Sequence, residues 1–221
     1  DLFARNAKII VIDIDQYEHQ KKTVKIDLLI NADLKSFFKQ IRHTQMVLNT
    51  KSWIQICTHW KTKWPTALKR YEAEDRINKY TFISHLGHFL PDDAVVVSDA
   101  GSSYYVTSQA LKIRAQQRYI TSGAQADMGF TLPAAIGICC ATKAEVIGIT
   151  GDGSLQLNIQ ELQTVVHYQL PLKLVIWNNN GYLSIRATQK KFFEGREIGT
   201  DKNSGVSFPQ NKNIARAYGI K

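Results

Sequence analysis

Glu145-Val146-Ile147-Gly148-Ile149-Thr150-Gly151-Asp152-Gly153-Ser154 is the stretch on which the reading of this chain turns. Its short apolar run, Glu145 to Thr150, delivers Gly-Asp-Gly-Ser at its carboxyl end. A second run, Leu172 to Trp177, delivers Asn178-Asn179-Asn180-Gly181 at its own end. Between the two, Leu157, Ile159, Leu162, Val165 and Val166 carry a helical apolar pattern. Strand, turn, helix, strand is the βαβ crossover that builds parallel sheets. Ligands of open α/β sheets sit beyond the carboxyl ends of the strands, so Asp152 and the asparagines are expected at one rim.

Residue types define the chemistry expected there. Asp152 offers carboxylate oxygens and Asn179 an amide oxygen, hard donors that suit Mg²⁺ when diphosphate oxygens and water complete its shell. Gly151 and Gly153 let backbone approach a bulky anion. Ser154 precedes a helix, whose free N–H groups and dipole favour phosphate. Together these residues describe a metal-bridged diphosphate site. An Asp-Gly turn alone is a common feature; the asparagine run in register with it makes the pair specific.

Working outward, Ala94–Val97, Pro133–Ala141, Glu145–Thr150, the helix after Ser154 and Leu172–Trp177 alternate in a way that predicts an α/β fold, a doubly wound parallel sheet. A helix from about Arg76 to Leu90 is stopped by Pro91-Asp92-Asp93. His85 and His88 lie three apart on it, with no carboxylate or cysteine set nearby, and read as helix-surface histidines. Trp177 reads as core. Asn180 to Thr200 shows no clean periodicity and reads as a surface loop.

The first third of the chain differs. Lys8 to Asp15 reads as a buried strand, Asp27 to Asn31 as a short apolar run, and Asp33 as the cap of a helix carrying Leu34, Phe37, Phe38 and Ile41. This segment lacks a full set of strands and reads as the tail of a domain. Arg42 to Asp75 is rich in charge and aromatic residues. There Trp53, Ile54, Cys57 and Trp60 form one helical face, read as packing anchors, before Trp64-Pro65 ends the helix. The organisation expected is 1–42 as the end of a central α/β domain, 43–75 as a helical linker and 76–221 as the ligand-binding domain. Ala215 to Lys221 begins a further helix-to-strand transition, so that domain is expected to be cut short at its C-terminus.

Composition narrows the class. A 221-residue chain with 44% hydrophobic residues is built to bury a core. Its formal charge of +9 could suit nucleic acid. The basic residues are dispersed, however, as Lys21-Lys22, Lys61, Lys63, Lys69-Arg70 and Lys190-Lys191, without an aromatic-interleaved strip. Nucleic acid is therefore not an expected partner. No apolar run reaches membrane-spanning length and the N-terminus has no signal-peptide pattern, so no membrane association and a cytoplasmic location are expected. Cys57, Cys139 and Cys140 lack metal or disulfide spacing and read as reduced, packed thiols.

Four stretches together resemble a known family. Gly151-Asp152-Gly153 with Asn178-Asn179 is similar to the thiamine-diphosphate signature, and the chain most resembles acetolactate synthase (acetohydroxyacid synthase)-like enzymes. Ser98-Asp99-Ala100-Gly101-Ser102-Ser103 follows the Ala94–Val97 strand where that family contacts the diphosphate. Met128-Gly129-Phe130-Thr131-Leu132-Pro133-Ala134-Ala135-Ile136-Gly137 is close to the family's Met-Gly-aromatic-x-Leu-Pro-Ala-Ala-Ile-Gly. Ala7 to Asp15 looks like the last strand of the family's central domain. The resemblance covers nearly the whole chain in order.

The resemblance implies thiamine diphosphate and Mg²⁺ as cofactors, with C–C bonds made or broken next to the carbonyl of a small 2-oxo acid or related substrate. It implies metal contacts from the side chains of Asp152 and Asn179 and the carbonyl of Gly181. Cofactor contacts are implied for Ala100, Gly101, Ser102, Ser103, Gly151, Gly153, Ser154 and Tyr182. Met128 matches the side chain that wedges between the cofactor rings, and the Ala126 carbonyl matches the aminopyrimidine acceptor, where relatives often carry Gly. The family's activating glutamate belongs to a separate pyrimidine-binding domain, usually of another subunit. No catalytic acid is therefore assigned here, the polypeptide alone is expected to turn over poorly, and a homodimer or tetramer is implied. Gly181-Tyr182-Leu183-Ser184-Ile185-Arg186 departs from the Gly-Met-Val-x-Gln-Trp of acetolactate synthases. It is closer to relatives acting on sugar- or polyol-derived diketones as lyases or hydrolases. A non-catalytic anion-binding fragment is the alternative from a different class.

Overall fold

The computed structural model describes residues 3–20, 22–44, 49–142 and 144–220. The chain divides into two compact units, Asp1–Lys61 and Thr62–Lys221.

In the first unit β1 (Ile10–Asp13) and β2 (Leu28–Asn31) pair in parallel, with Ile10 opposite Leu28 and Asp13 opposite Asn31. Helix α1 (Leu34–Ile41) starts where predicted: the Asp33 carboxylate accepts from the Ser36 N–H at 3.0 Å, satisfying one of the free first-turn amides. Helix α2 (Lys51–Lys63) begins in this unit, and its last two residues belong to the second. Two expectations need correction. The strand read as buried is short and its apolar side chains stay partly in water, with Ile10 56% exposed, because β1 pairs only with β2 among the described residues. The tryptophans of α2 are not packing anchors either. Trp53 and Trp60 are both exposed, and their rings meet edge to face at 5.7 Å.

The second unit begins with α3 (Lys79–Phe89), started by Asn78, whose side chain accepts from the Tyr80 N–H at 2.9 Å. Then come β3 (Val95–Ser98), α4 (Ser102–Ala110), β4 (Arg118–Thr121), α5 (Thr131–Thr142) and β5 (Val146–Gly151). The chain continues through α6 (Asp152–Leu155), α7 (Leu162–His167), β6 (Leu172–Trp177), α8 (Leu183–Phe192) and α9 (Asn211–Ala217). The four strands form one all-parallel sheet in the order β4-β3-β5-β6.

Strand alternation sorts the core onto two faces. Val96, Ile147, Ile149 and Trp177 pack with Ile83 and Leu90 beside α3 and with Val106 and Ala110 of α4. Val95, Val97 and Val146 face the other way, onto Ala135 and Cys139 of α5. Leu132, Leu155 and Leu162 extend that second layer towards Ile214 of α9. Helices therefore cover both faces, which is why Val95-Val96-Val97 is apolar without interruption. The fold is the doubly wound α/β sheet expected.

Four local readings change. The helix after Ser154 is interrupted by a 3₁₀ stretch, Gln156–Glu161, with Asn158 at φ −137° and ψ 27°. Asn158 Nδ2 reaches across to donate to the Gly129 carbonyl at 2.8 Å, and this tertiary bond competes with the helical path. Asn180 to Thr200 is not all loop, since it contains α8. The edge strand β4 adds to the expected set, since Arg118, Tyr119 and Thr121 give it no apolar run. Cys139 is buried but its neighbour Cys140 is exposed, successive helix positions pointing about 100° apart. Trp177 is core and His85 and His88 are exposed, as read. No helix among the described residues is long and apolar enough to cross a membrane.

Candidate functional site

The sheet order places a switch point between β3 and β5. From β3 the chain passes through α4 to β4 on one side; from β5 it passes to β6 on the other. At such a point the loops diverge and leave a crevice. Asp99–Gly101 and Gly151–Gly153 flank it, and Asn178–Gly181 emerges from β6 next door.

Asp99 ties the first two loops together. It is fully buried, and its Oδ1 accepts from the Ala100 N–H at 2.7 Å and the Ser103 hydroxyl at 2.8 Å. Its Oδ2 accepts from the Thr150 hydroxyl at 2.7 Å and the Ser154 hydroxyl at 2.6 Å. Four donors from β5 and the starts of α4 and α6 therefore converge on one carboxylate. That makes a desolvated charge tolerable. Ser154 Oγ also accepts from the Gly129 N–H at 2.7 Å, which joins the Met128-Gly129 turn to the same network.

Asp152 ties in the third loop. It is 2% exposed; its Oδ2 accepts from the Asn179 and Gly181 N–H groups, each at 3.2 Å, and its Oδ1 from Gly153 N–H at 3.0 Å. Asn178 Oδ1 caps the turn by accepting from the Asn180 N–H at 3.1 Å. Gly181 holds φ at +152° in an antiparallel bridge to Asp201, and a Cβ there would be driven into the Thr200 carbonyl. At Gly153 a Cβ would lie 2.5 Å from the Tyr182 ring. The Gly181 position therefore requires glycine, and any side chain at Gly153 would have to push the Tyr182 ring aside.

Behind the loop stands a clamp. Arg186 Nη1 meets Asp201 Oδ2 at 3.2 Å, and Nη2 donates to the Asn179 carbonyl at 3.4 Å. Hydrogen bonds from Ser204, first its hydroxyl and then its N–H, hold the Asp201 carboxyl below the usual carboxylate range, and Arg186 adds to the effect. Lys79, the first residue of α3, sits near the cleft. Its Nζ lies 2.6 Å from Ser102 Oγ and 5.0 Å from the centroid of the Trp177 ring. Burial pulls its pKa below the ordinary lysine value, and the Asp152 carboxylate works against that shift.

These loops enclose a cleft of about 210 Å³. Of the residues singled out from the sequence, Ala100, Gly101, Ser102, Ser103, Met128, Gly151, Asp152, Gly153, Ser154, Asn179, Gly181 and Tyr182 all line it. Met128 is 40% exposed and lines the cleft rather than filling the core. Ala126 does not line the cleft; it occupies the left-handed region at φ +55°. Leu183, Ser184 and Ile185, at the start of α8, line the cleft as well; the sequence marked them as a departure from the acetolactate synthase pattern and not as cofactor-binding residues. Their signal was present: an Asn-Gly turn before them and Lys190-Lys191 at the far end, the cation-rich last turn of a helix. Lys79 had no such signal, since only tertiary packing brings it to Ser102.

The donor set fits a hard divalent cation. Asn179 Oδ1 is buried and meets no donor among the described residues, a costly state for an amide oxygen unless something else binds it. It belongs to the loop pinned on Asp152, so amide and carboxylate oxygens share one rim. No group of three or more His, Cys, Asp or Glu side chains among the described residues is placed to hold a metal. A cation here would therefore draw on the single Asp152 carboxylate together with amide, main-chain and ligand oxygens, as Mg²⁺ bound with a phosphate does.

Comparison with known proteins agrees. The chain is 30% identical over 220 residues to the acetolactate synthase isozyme 1 large subunit of Escherichia coli K12, covering 99% of this chain and 38% of that protein. It is 33% identical over 221 residues to the acetolactate synthase large subunit of Lactococcus lactis, covering 99% and 37% respectively. With the acetolactate synthase large subunit of Cyanidium caldarium it shares 31% over 233 residues, covering 100% and 38%. The chain thus spans about 38% of the length of these relatives. A family model described as thiamine pyrophosphate enzyme, C-terminal TPP binding domain, matches residues 99–221, more than half of the chain. Homologous to acetolactate synthase large subunits and built around this crevice, the chain belongs to the thiamine pyrophosphate enzymes and is their cofactor-binding part.

Proposed function

We propose that this chain holds thiamine diphosphate through Mg²⁺ as part of an enzyme that makes or breaks C–C bonds next to the carbonyl of a 2-oxo acid or related small substrate. The observation that carries the reading is the buried, unpartnered Asn179 Oδ1 on the loop fastened to Asp152. Asp152 and Asn179 would supply side-chain oxygens to the metal and Gly181 its carbonyl. The first-turn amides of α4, at Ser102 and Ser103, precede any intrahelical acceptor and would meet phosphate oxygens. Ala100, Gly101, Gly151, Gly153, Ser154 and Tyr182 would complete the diphosphate cradle. Ser103 and Ser154 would do so through backbone, since their hydroxyls serve Asp99.

When bound, thiamine diphosphate supplies the carbon nucleophile and electron sink; the protein supplies orientation and electrostatics. Met128, exposed to the cleft, would support the bend between the two rings, and the Ala126 carbonyl would face the aminopyrimidine. Ligand pockets run to about 300–1,000 Å³, so a cleft of about 210 Å³ supports a second wall from elsewhere. We assign that wall to a pyrimidine-binding domain carrying the activating glutamate, in a homo-oligomer. Residues 1–42 would then be the end of a central domain, 43–75 a linker and 76–221 the cofactor domain.

A second reading concerns the substrate. Leu183, Ser184 and Ile185 line the cleft at the positions where the sequence leaves the acetolactate synthase pattern. That supports a lyase or hydrolase of a sugar- or polyol-derived diketone within the same cofactor chemistry.

Thermal unfolding tests the site. Mg²⁺ and thiamine diphosphate together should raise the melting temperature well beyond either alone, by mass action on the folded state. Asp152→Asn, which keeps oxygen for the Asn179 and Gly181 amides but loses the charge, should remove most of the joint rise. Equal stabilisation of wild type and variant would overturn the assignment.

A further inference from the structure

We propose that Lys79 is a cationic support for the cofactor's diphosphate, acting through the Ser102 hydroxyl. This rests on the cofactor reading above and adds to it a residue that lies outside the lining of the cleft.

Four serines line the cleft; Ser184 comes from α8, and the other three, from the loops after β3 and β5, send their protons to different places. A hydroxyl has one proton to give and two lone pairs to receive with. Ser103 gives its proton to Asp99 or the Ala100 carbonyl, at 2.8 and 2.7 Å. Ser154 gives its proton to Asp99 at 2.6 Å and receives from the Gly129 N–H. Ser102 is the reverse case. The Lys79 ammonium has only protons to offer, so at 2.6 Å Ser102 Oγ must accept. Its own proton then meets no acceptor among the described residues, and the cleft it lines is where an acceptor would come from. Of the three, Ser102 is the hydroxyl available to a phosphate oxygen.

Charge points the same way. The Lys79 ammonium rests on the face of Trp177 and on a neutral hydroxyl; the Asp152 carboxylate acts on it through space, but among the described residues no carboxylate is in direct ion-pair contact with it. A single phosphate monoester carries about −1.5 to −2 charge near neutral pH, and a diphosphate is an anion of at least that charge. One Mg²⁺ held by the Asp152 carboxylate leaves that anion under-compensated, and a fixed ammonium behind Ser102 offsets part of the remainder. A charge-assisted contact also polarises the hydroxyl, making Ser102 a stronger donor. Trp177 fixes where the ammonium sits: it ends β6, belongs to the core, and holds the lysine head over its ring.

The test uses calorimetric titration of the full-length protein at fixed Mg²⁺. Thiamine diphosphate is one probe; inorganic pyrophosphate, which carries the anion without the rings, is the other. Lys79→Met should weaken both by a similar factor, about tenfold or more, and Lys79→Arg should recover part of the loss. Ser102→Ala should weaken both as well, and the double variant should lose less than the product of the two single losses, because the residues act as one unit. Unchanged affinity in Lys79→Met while wild type binds the cofactor would overturn the role of Lys79 and leave the cofactor site standing. A loss confined to thiamine diphosphate, with pyrophosphate unaffected, would also overturn it, since the anion would not be what Lys79 serves. Multiplicative losses in the double variant would overturn the relay through Ser102. Should Lys79→Met not fold, Lys79→Gln and Ser102→Ala carry the same comparison. Wild type that binds neither probe would instead overturn the cofactor reading itself.

Discussion

The two parallel sheets of this chain are written in nearly the same letters and end in different environments. Ile10-Val11-Ile12-Asp13 and Val95-Val96-Val97-Ser98 are both short, β-branched and closed by a polar residue. Ile10 is 56% exposed, whereas Val96 and Val97 are wholly buried. Local sequence specifies an extended backbone in both cases, since branched side chains favour it. Burial comes from the company each strand keeps. β3 lies between β4 and β5 with helices on both faces; β1 has β2 alone among the described residues. Stability and ligand chemistry should therefore concentrate in the second unit.

The largest effect expected follows from Asp99. Replacing it with Ala strands four donors, from Ala100, Ser103, Thr150 and Ser154, at the junction of β3, β5 and the cleft. A buried unsatisfied polar group costs about 1–3 kcal/mol, and hydroxyls can partly re-aim, so a loss on the order of 4 kcal/mol is expected in chemical denaturation. A loss below about 1 kcal/mol would show that the network is ornamental and that the valines alone hold the sheet. No position in the first unit should match this sensitivity.

Next comes a paired truncation that measures the comparison directly. Ile147 is buried between β5 and the α3–α4 layer, and Leu28 is exposed in β2. Ile147→Ala should cost about 2–4 kcal/mol through lost transfer energy and the cavity left behind. Leu28→Ala in this chain should stay within about 0.5 kcal/mol, as exposed substitutions do. Similar values for the two would mean that the first unit has a core of its own.

The same contrast explains what could be read from the sequence. Motifs at strand ends were legible because backbone geometry dictates them. Gly153 leaves room where the Tyr182 ring approaches, Gly181 is needed where the Thr200 carbonyl does, and Asp152 where two amides need an acceptor. Strand β4 was not legible, because an edge strand carrying Arg118 and Thr121 lacks the apolar run that β3 and β5 need when buried on both faces. The kink at Asn158 was hidden for another reason. Its cause is the Gly129 carbonyl, 29 residues away in sequence. Lys79 belongs to that class too, being recognisable as a helix start after Asn78 but not as a neighbour of Ser102. Burial misled in the first unit because an apolar strand or a row of tryptophans names a surface that needs cover without saying what covers it.

The smallest effect expected sharpens the comparison to two adjacent residues. Cys139 and Cys140 follow each other on α5, one 2% exposed beneath Val95 and Val97, the other at the surface. Burial, with the neighbouring Cys140 as a lesser cause, raises the Cys139 thiol above its ordinary pKa, so the reactive thiolate is both scarcer and less accessible there. Cys140→Ser should leave stability unchanged within about 0.5 kcal/mol. Alkylation near pH 8 should modify Cys140 rapidly, while Cys139 should react only as fast as the second unit opens. Peptide mass mapping over time reads the two rates separately. If Cys139 labelled as quickly as Cys140, the α5 face of the sheet would be opening far more often than so buried a set of valines allows, and the contrast between the two units would lose its physical basis.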